Sequence, residues 1–209
     1  FELCDCPRLT MADEMARIRW VATGAEIVVD ACPSLAANVF APLLLPSASN
    51  FTLAGNVPAR RVEIAAPYLD LFVLTKLNSL ESVSLTTAAV EVLRIWEAPR
   101  LREFSTTISA ATEISMQDLP ELRSLSGFRP LLGVSERLDL RLTSVQTLDG
   151  LQNLEYAGVA VFKLPSLIDV SAASKLHFAS IYDLPGSICC PDNSFFASTS
   201  FTEYTLECK

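Results

Sequence analysis

The feature that most constrains this chain is a repeat of about 20–23 residues through its second half. The segments Leu93-Arg-Ile-Trp-Glu-Ala-Pro-Arg-Leu101, Ile114-Ser-Met-Gln-Asp-Leu-Pro-Glu-Leu122 and Val159-Ala-Val-Phe-Lys-Leu-Pro-Ser-Leu167 superpose without gaps, with prolines Pro99, Pro120 and Pro165. A fourth copy, Leu138-Asp-Leu-Arg-Leu-Thr-Ser-Val145, has one residue fewer and puts Thr143 in the proline slot; a fifth ends at Pro185. The slots at 99, 120, 143, 165 and 185 lie 21, 23, 22 and 20 residues apart, the period of a solenoid coil. Earlier copies are looser. Ile27-Val-Val-Asp-Ala-Cys-Pro-Ser-Leu35 takes the longer form and Val62-Glu-Ile-Ala-Ala-Pro-Tyr-Leu69 the shorter, and the wide intervals around Pro67 are expected to hold long loops or a degenerate coil.

Each unit opens with alternating aliphatic residues, Leu93/Ile95, Ile114/Met116 and Val159/Val161, the period-2 pattern of a strand with one buried face. Proline then fixes φ and removes an N–H, which stops the strand. One coil cannot bury its own apolar side, but stacked coils share a core and pair their strands in parallel. The predicted fold is an all-β, right-handed parallel β-helix or solenoid with coils of about 20–23 residues. If Ile95, Met116, Val161 and Ile181 point inward, the residues after them, Trp96, Gln117, Phe162 and Tyr182, form an outward row. Such an aromatic row is a candidate contact surface for a glycan or a protein partner.

The chain has 209 residues, half of them hydrophobic, enough for a sizeable core. Its net charge of -8 and the absence of any basic cluster beyond Arg60-Arg61 exclude a nucleic-acid binder or a polybasic membrane anchor. No apolar run approaches the roughly 18 residues of a membrane span. The chain starts at Phe1, which is expected of a secreted chain whose signal peptide has been removed.

Six cysteines fall in two groups, Cys4, Cys6 and Cys32 near the start and Cys189, Cys190 and Cys208 near the end. Cysteines gathered at both ends are expected to form disulfides in an oxidising compartment. Cys4-x-Cys6 lacks the usual zinc spacer, so no metal site is expected. Cys4–Cys32 or Cys6–Cys32 would clip one end, and Cys189–Cys208 or Cys190–Cys208 the other. Three cysteines cannot all pair within their own group, which leaves room for a bond between subunits and a head-to-tail filament.

The stretch Leu148-Asp-Gly-Leu-Gln-Asn-Leu-Glu-Tyr-Ala-Gly-Val-Ala-Val-Phe-Lys-Leu-Pro-Ser-Leu167 resembles a coil of the receptor L-domain family. That family includes the ligand-binding L domains of insulin-type and epidermal-growth-factor-type receptors and fungal glycolipid-anchored cell-wall proteins. The resemblance implies a leucine-rich-repeat-like solenoid in an extracellular setting, with a short helix before the first coil. Thr10-Met-Ala-Asp-Glu reads as such a capped helix start, with Met11, Met15 and Ile18 on one face. Family coils often carry Asn-Asn or Asn-Ala before the proline, where this chain has Glu97-Ala98, Asp118-Leu119 or Lys163-Leu164.

Catalytic signals are weak. The single histidine, His177, lies in no nucleophile elbow, and there is no glycine-rich phosphate loop. Glu113, Asp118, Glu136 and Asp139 are the acidic residues that stacking could bring together for glycosidic cleavage, but a solvated acidic edge accounts for them. Asn50-Phe51-Thr52 is an N-x-[ST] sequon in a loop-like stretch, and an N-glycan on Asn50 is expected of a secreted chain.

Residues 1–209 therefore read as one solenoid, with a cap over 1–35, coils over 36–188 and a disulfide-closed tail over 189–209. The expected role is a non-catalytic extracellular recognition or adhesion module without a cofactor, meeting a protein or glycan partner. The alternative is a structural subunit of an extracellular filament, sheath or cell wall.

Overall fold

Among the described residues thirteen short segments become strands, and the coil period stacks them side by side. The computed structural model describes residues 2–4, 25–32, 34, 43–44, 48–173, 175 and 180–181. The strands are β1 (Glu2–Cys4), β2 (Ala25–Asp30), β3 (Leu43–Leu44), β4 (Ala48–Ala54), β5 (Arg61–Ala65), β6 (Tyr68–Thr75) and β7 (Ser82–Thr86). They continue as β8 (Ala89–Trp96), β9 (Glu103–Thr106), β10 (Ala110–Gln117), β11 (Gly133–Arg141), β12 (Tyr156–Lys163) and β13 (Ser180–Ile181). Among the described residues, a nine-stranded sheet runs β1-β2-β4-β6-β8-β10-β11-β12-β13 and a four-stranded sheet runs β3-β5-β7-β9. Every pairing is parallel. The chain is an all-β parallel β-solenoid of about six turns.

Ile27, Phe51, Phe72, Leu93, Ile114, Leu138 and Ala160 follow one another in register and are all buried. With Leu53, Leu74, Ile95, Met116, Leu140 and Phe162 they form the inner face of the large sheet. The Phe51 and Phe72 rings stack at 5.6 Å, so adjacent coils repeat one packing unit.

Each turn is local chemistry. The N–H of Leu101 donates to the Ala98 carbonyl and that of Leu122 to Leu119, each at 3.1 Å, while Leu167 donates to Leu164 at 3.0 Å. Pro99, Pro120 and Pro165 each hold the second position of such a turn, where their fixed φ is already correct. The Ser166 hydroxyl then donates 2.6 Å to the Thr143 carbonyl of the preceding coil. Ser144 makes the matching bond to Pro120.

Two expectations are corrected. Among the described residues, the intervals around Pro67 hold two strands of the large sheet, β4 and β6, in place of a degenerate coil. Val62–Leu69 is not a copy of the same strand, because Val62 and Ile64 lie in β5 of the second sheet. Both sheets alternate with period 2, so the wrong one matched the template. Asn78 replaces proline at the turn after β6, and its Nδ2 donates 3.3 Å to Asn56 Oδ1 of the preceding coil.

The second correction concerns Phe162, which is fully buried and registers with Leu140, while Val161 lies half-buried opposite Asp139 on the outer face. The cause is one residue at the corner. Ala31, Lys76, Glu97 and Asp118 have φ between 49° and 58°, and Gly55 has φ 72°. These left-handed residues continue the ladder: Lys76 N–H donates to the Trp96 carbonyl and Glu97 N–H to Gln117, both at 3.2 Å. The corners after β11 and β12 have no such residue, and Leu142 N–H donates directly to the Lys163 carbonyl at 3.1 Å. One residue fewer flips every side chain behind it.

Glycines mark where backbones meet closely. β11 carries an extra residue that shifts its register between Val134 and Arg137. A Cβ on Gly158 would lie 2.4 Å from the Ser135 carbonyl oxygen of that bulge. Gly150, at φ 117°, would put a Cβ 1.9 Å from the Leu125 carbonyl oxygen. The N-terminal segment expected to be a helix lies outside the described residues.

Candidate recognition face

The outer face of the large sheet is organised in three columns along the solenoid axis. Asp30, Ala54, Thr75, Trp96, Gln117, Arg141 and Lys163 form the one nearest the corner. The next contains Arg94, Ser115, Asp139 and Val161, and the third Val92, Glu113, Arg137 and Val159. Strands about 4.8 Å apart place these side chains within reach of one another.

Over β8, β10 and β11 they interlock. Arg94 holds Glu113 with two parallel bonds, Nε to Oε1 at 3.0 Å and Nη2 to Oε2 at 3.1 Å. Its guanidinium also lies 5.6 Å from the Trp96 ring, so the cation both pairs and stacks. Trp96 Nε1 donates 2.9 Å to Ser115 Oγ, and Gln117 Nε2 donates 3.0 Å to the same oxygen. Ser115 is 3% exposed, so that oxygen is shielded by the two donors it serves.

Asp139 is the deepest charge of this face, 2% exposed and clamped by two arginines. Arg141 donates from Nε to Oδ1 at 2.9 Å and from Nη2 to Oδ2 at 3.1 Å; Arg137 Nη2 donates to Oδ2 at 2.7 Å. These bonds hold the Arg141 guanidinium above its ordinary range, with the charges of Asp139 and then Asp118 adding to the effect. Two arginines facing one aspartate leave net positive charge next to Lys163.

Toward the start of the strands a second motif appears. Tyr68, Ala89, Ala110, Gly133 and Tyr156 share one register row, and both tyrosines are exposed. The Tyr156 ring covers Gly133, where a Cβ would meet it at 2.2 Å. The Tyr68 phenol is pushed up to about 12, by lost hydration first and then by its hydrogen bond to Glu91.

The expected contact row is brought together only in part. Trp96 and Gln117 lie side by side, half-buried and bonded through Ser115. Phe162 belongs to the core, and Lys163 takes its place in the column. Tyr182 lies outside the described residues. Arg94, Glu113, Ser115, Arg137, Asp139 and Arg141 also belong to this face and were not assigned to it from the sequence. The spacing Arg137-x-Asp139-x-Arg141 was visible within β11, but the meeting of Arg94 with Glu113 and of Trp96 with Ser115 became legible only once strand register was known.

Asn50 is half-buried in β4, between Glu26 and Leu71, and is therefore in a strand and not a loop. Cys4 lies in β1, and Cys32 is buried with its Sγ donating 3.2 Å to the Asp30 carbonyl. Cys6, Cys189, Cys190, Cys208 and His177 lie outside the described residues. Glu113 and Asp139 are each held by arginine, Ser115 accepts bonds from Trp96 and Gln117, and the described residues offer no cluster of three or more metal-ligating groups. No helix among the described residues is long and apolar enough to cross a membrane. Compared with known protein families, curated proteins and solved structures, the chain matches none.

Proposed function

We propose that this chain is a non-catalytic extracellular recognition module that presents the outer face of its large sheet to a protein or glycan partner. The observation that carries the reading is the interlocked set of Arg94, Trp96, Glu113, Ser115, Gln117, Asp139 and Arg141. Side chains already held in place lose little freedom on binding, and Trp and Arg supply much of the energy at contact surfaces. Carboxylates neutralised by arginine favour recognition over acid–base chemistry. In this reading the chain is secreted, right-handed and L-domain-like, with disulfides closing its ends.

An N-glycan on Asn50 would cover the β2–β6 side of the face and leave the arginine-rich side open. The test compares wild type with Trp96→Ser/Arg141→Ser on a glycan array and on an arrayed set of extracellular proteins. At least one partner held by wild type and released by the variant is expected. Equal retention of every partner by a folded variant would overturn the proposal.

Head-to-tail assembly is the second reading, favoured by the position of Cys4 in β1, an edge strand of the large sheet. Non-reducing electrophoresis that shows only monomer would remove it.

A further inference from the structure

The four-stranded sheet ends at β9. In the next coil the chain instead forms a 3-10 turn, Ser126–Phe128, fixed against the sheet by the Phe104–Phe128 ring contact at 4.8 Å. Gly127 allows the close approach, since a Cβ there would lie 2.1 Å from the Phe104 carbonyl oxygen. The step between sheet and turn leaves a groove of about 470 Å³ on the face away from the arginine network. Small-ligand sites span about 300–1,000 Å³, so the volume suits a short oligomer.

The groove is floored by hydroxyls. Ser82 and Ser84 face it from β7, Ser105 from β9 and Ser126 from the turn. Among the described residues none of these four hydroxyls makes a hydrogen bond, whereas Ser115, Ser144 and Ser166 elsewhere are all used within the fold. The charges of the lining cancel: Arg61 pairs with Glu63, and Arg102 stands beside Glu103 while bonding Glu121 at 2.5 Å. On a chain of net charge -8, a lining with equal positive and negative charge favours neither anions nor cations. Unused hydroxyls that both donate and accept, in a lining with two arginines and two glutamates, match the hydroxyls of a neutral sugar.

We infer that this groove is a binding site for a neutral oligosaccharide, bound through the Ser82, Ser84, Ser105 and Ser126 hydroxyls. The inference rests on the reading of the chain as a recognition module, but uses the opposite sheet. Strand spacing gives the groove, lined from β5 to the turn, a length of about 14 Å over three steps, enough for a few sugar units.

The test is titration of the folded chain with gluco-, manno-, xylo- and chito-tetraose, followed by backbone amide shifts, with a sulfated tetrasaccharide as the anionic control. Saturable shifts at Ser84 and Ser105 with at least one neutral tetraose are expected. Ser84→Val/Ser105→Val keeps strand preference and removes two hydroxyls, so affinity should fall about tenfold or more. Ser84→Ala/Ser105→Ala provides the same loss should the valines disturb folding. Trp96→Ser/Arg141→Ser should leave this binding unchanged, which separates failure of the groove from failure of the large-sheet face. Absence of saturable binding to every tetraose, a preference for the sulfated control, or shifts unaffected by both serine variants would each overturn the assignment.

Discussion

Replacing Phe162 with alanine tests the reading of the corner that fixes which side of β12 faces the core. Phe162 is fully buried and in register with Leu140, Met116 and Ile95. Removing a buried phenyl ring costs about 3–5 kcal/mol, combining lost transfer energy with the cavity left between rigid coils. With an unfolding entropy of about 2.1 cal/mol/K per residue, a 209-residue chain loses about 0.4 kcal/mol per degree, so Tm should fall by about 7–11 °C. Trp96→Ala removes one 2.9 Å hydrogen bond and a cation–π contact from a half-buried ring, about 1–2 kcal/mol and a fall of about 2–5 °C. Thermal unfolding followed by circular dichroism measures both. The corner reading also requires Val161→Asp to be tolerated and Phe162→Asp not to be. A smaller loss for Phe162→Ala than for Trp96→Ala, or tolerance of Phe162→Asp, would refute it.

Four further outcomes are expected. Glu97→Gly should raise stability by up to about 1 kcal/mol, because φ 53° is natural for glycine and strained for glutamate, as chemical denaturation would show. Gly150→Ala should lower stability by about 2 kcal/mol or more, since its Cβ would lie 1.9 Å from the Leu125 oxygen at φ 117°, and unchanged Tm would contradict the geometry. Asp139→Asn should cost about 1–2 kcal/mol, modest because its arginine partners are nearly half exposed; urea midpoints measure it. The Ser171 backbone N–H, 2.8 Å from Asp169, holds that carboxyl below its ordinary range, so its stabilisation is present above about pH 4 and lost as pH falls through the folded pKa. The Tm difference between wild type and Asp169→Ala should accordingly be largest near neutrality and narrow in acid.

The repeat made the solenoid legible. Pro99, Pro120 and Pro165 mark turns whose geometry proline already satisfies, and Leu93/Ile95 and Ile114/Met116 alternate because one strand face is buried. These signals are local, so they survive without knowledge of neighbours. Phe72 was overlooked because Asn78 stands where the template has proline, and Val62–Leu69 was misread because both sheets share one period.

The sequence alone therefore determined parallel coils of about 21 residues with one shared core, and it placed Trp96 and Gln117 together on the outer face. Only the tertiary structure decided that Phe162 is core and Lys163 surface, because a single left-handed residue at each corner, present at Glu97 and Asp118 and missing after Arg141 and Lys163, sets the parity of the strand. It alone set the Asp139 clamp, itself formed within β11, against its neighbours, since Arg137, Asp139 and Arg141 meet Glu113, Ser115 and Gln117 only through strand register. It also decided where the second sheet stops, and that step, invisible to any local pattern, makes the serine groove.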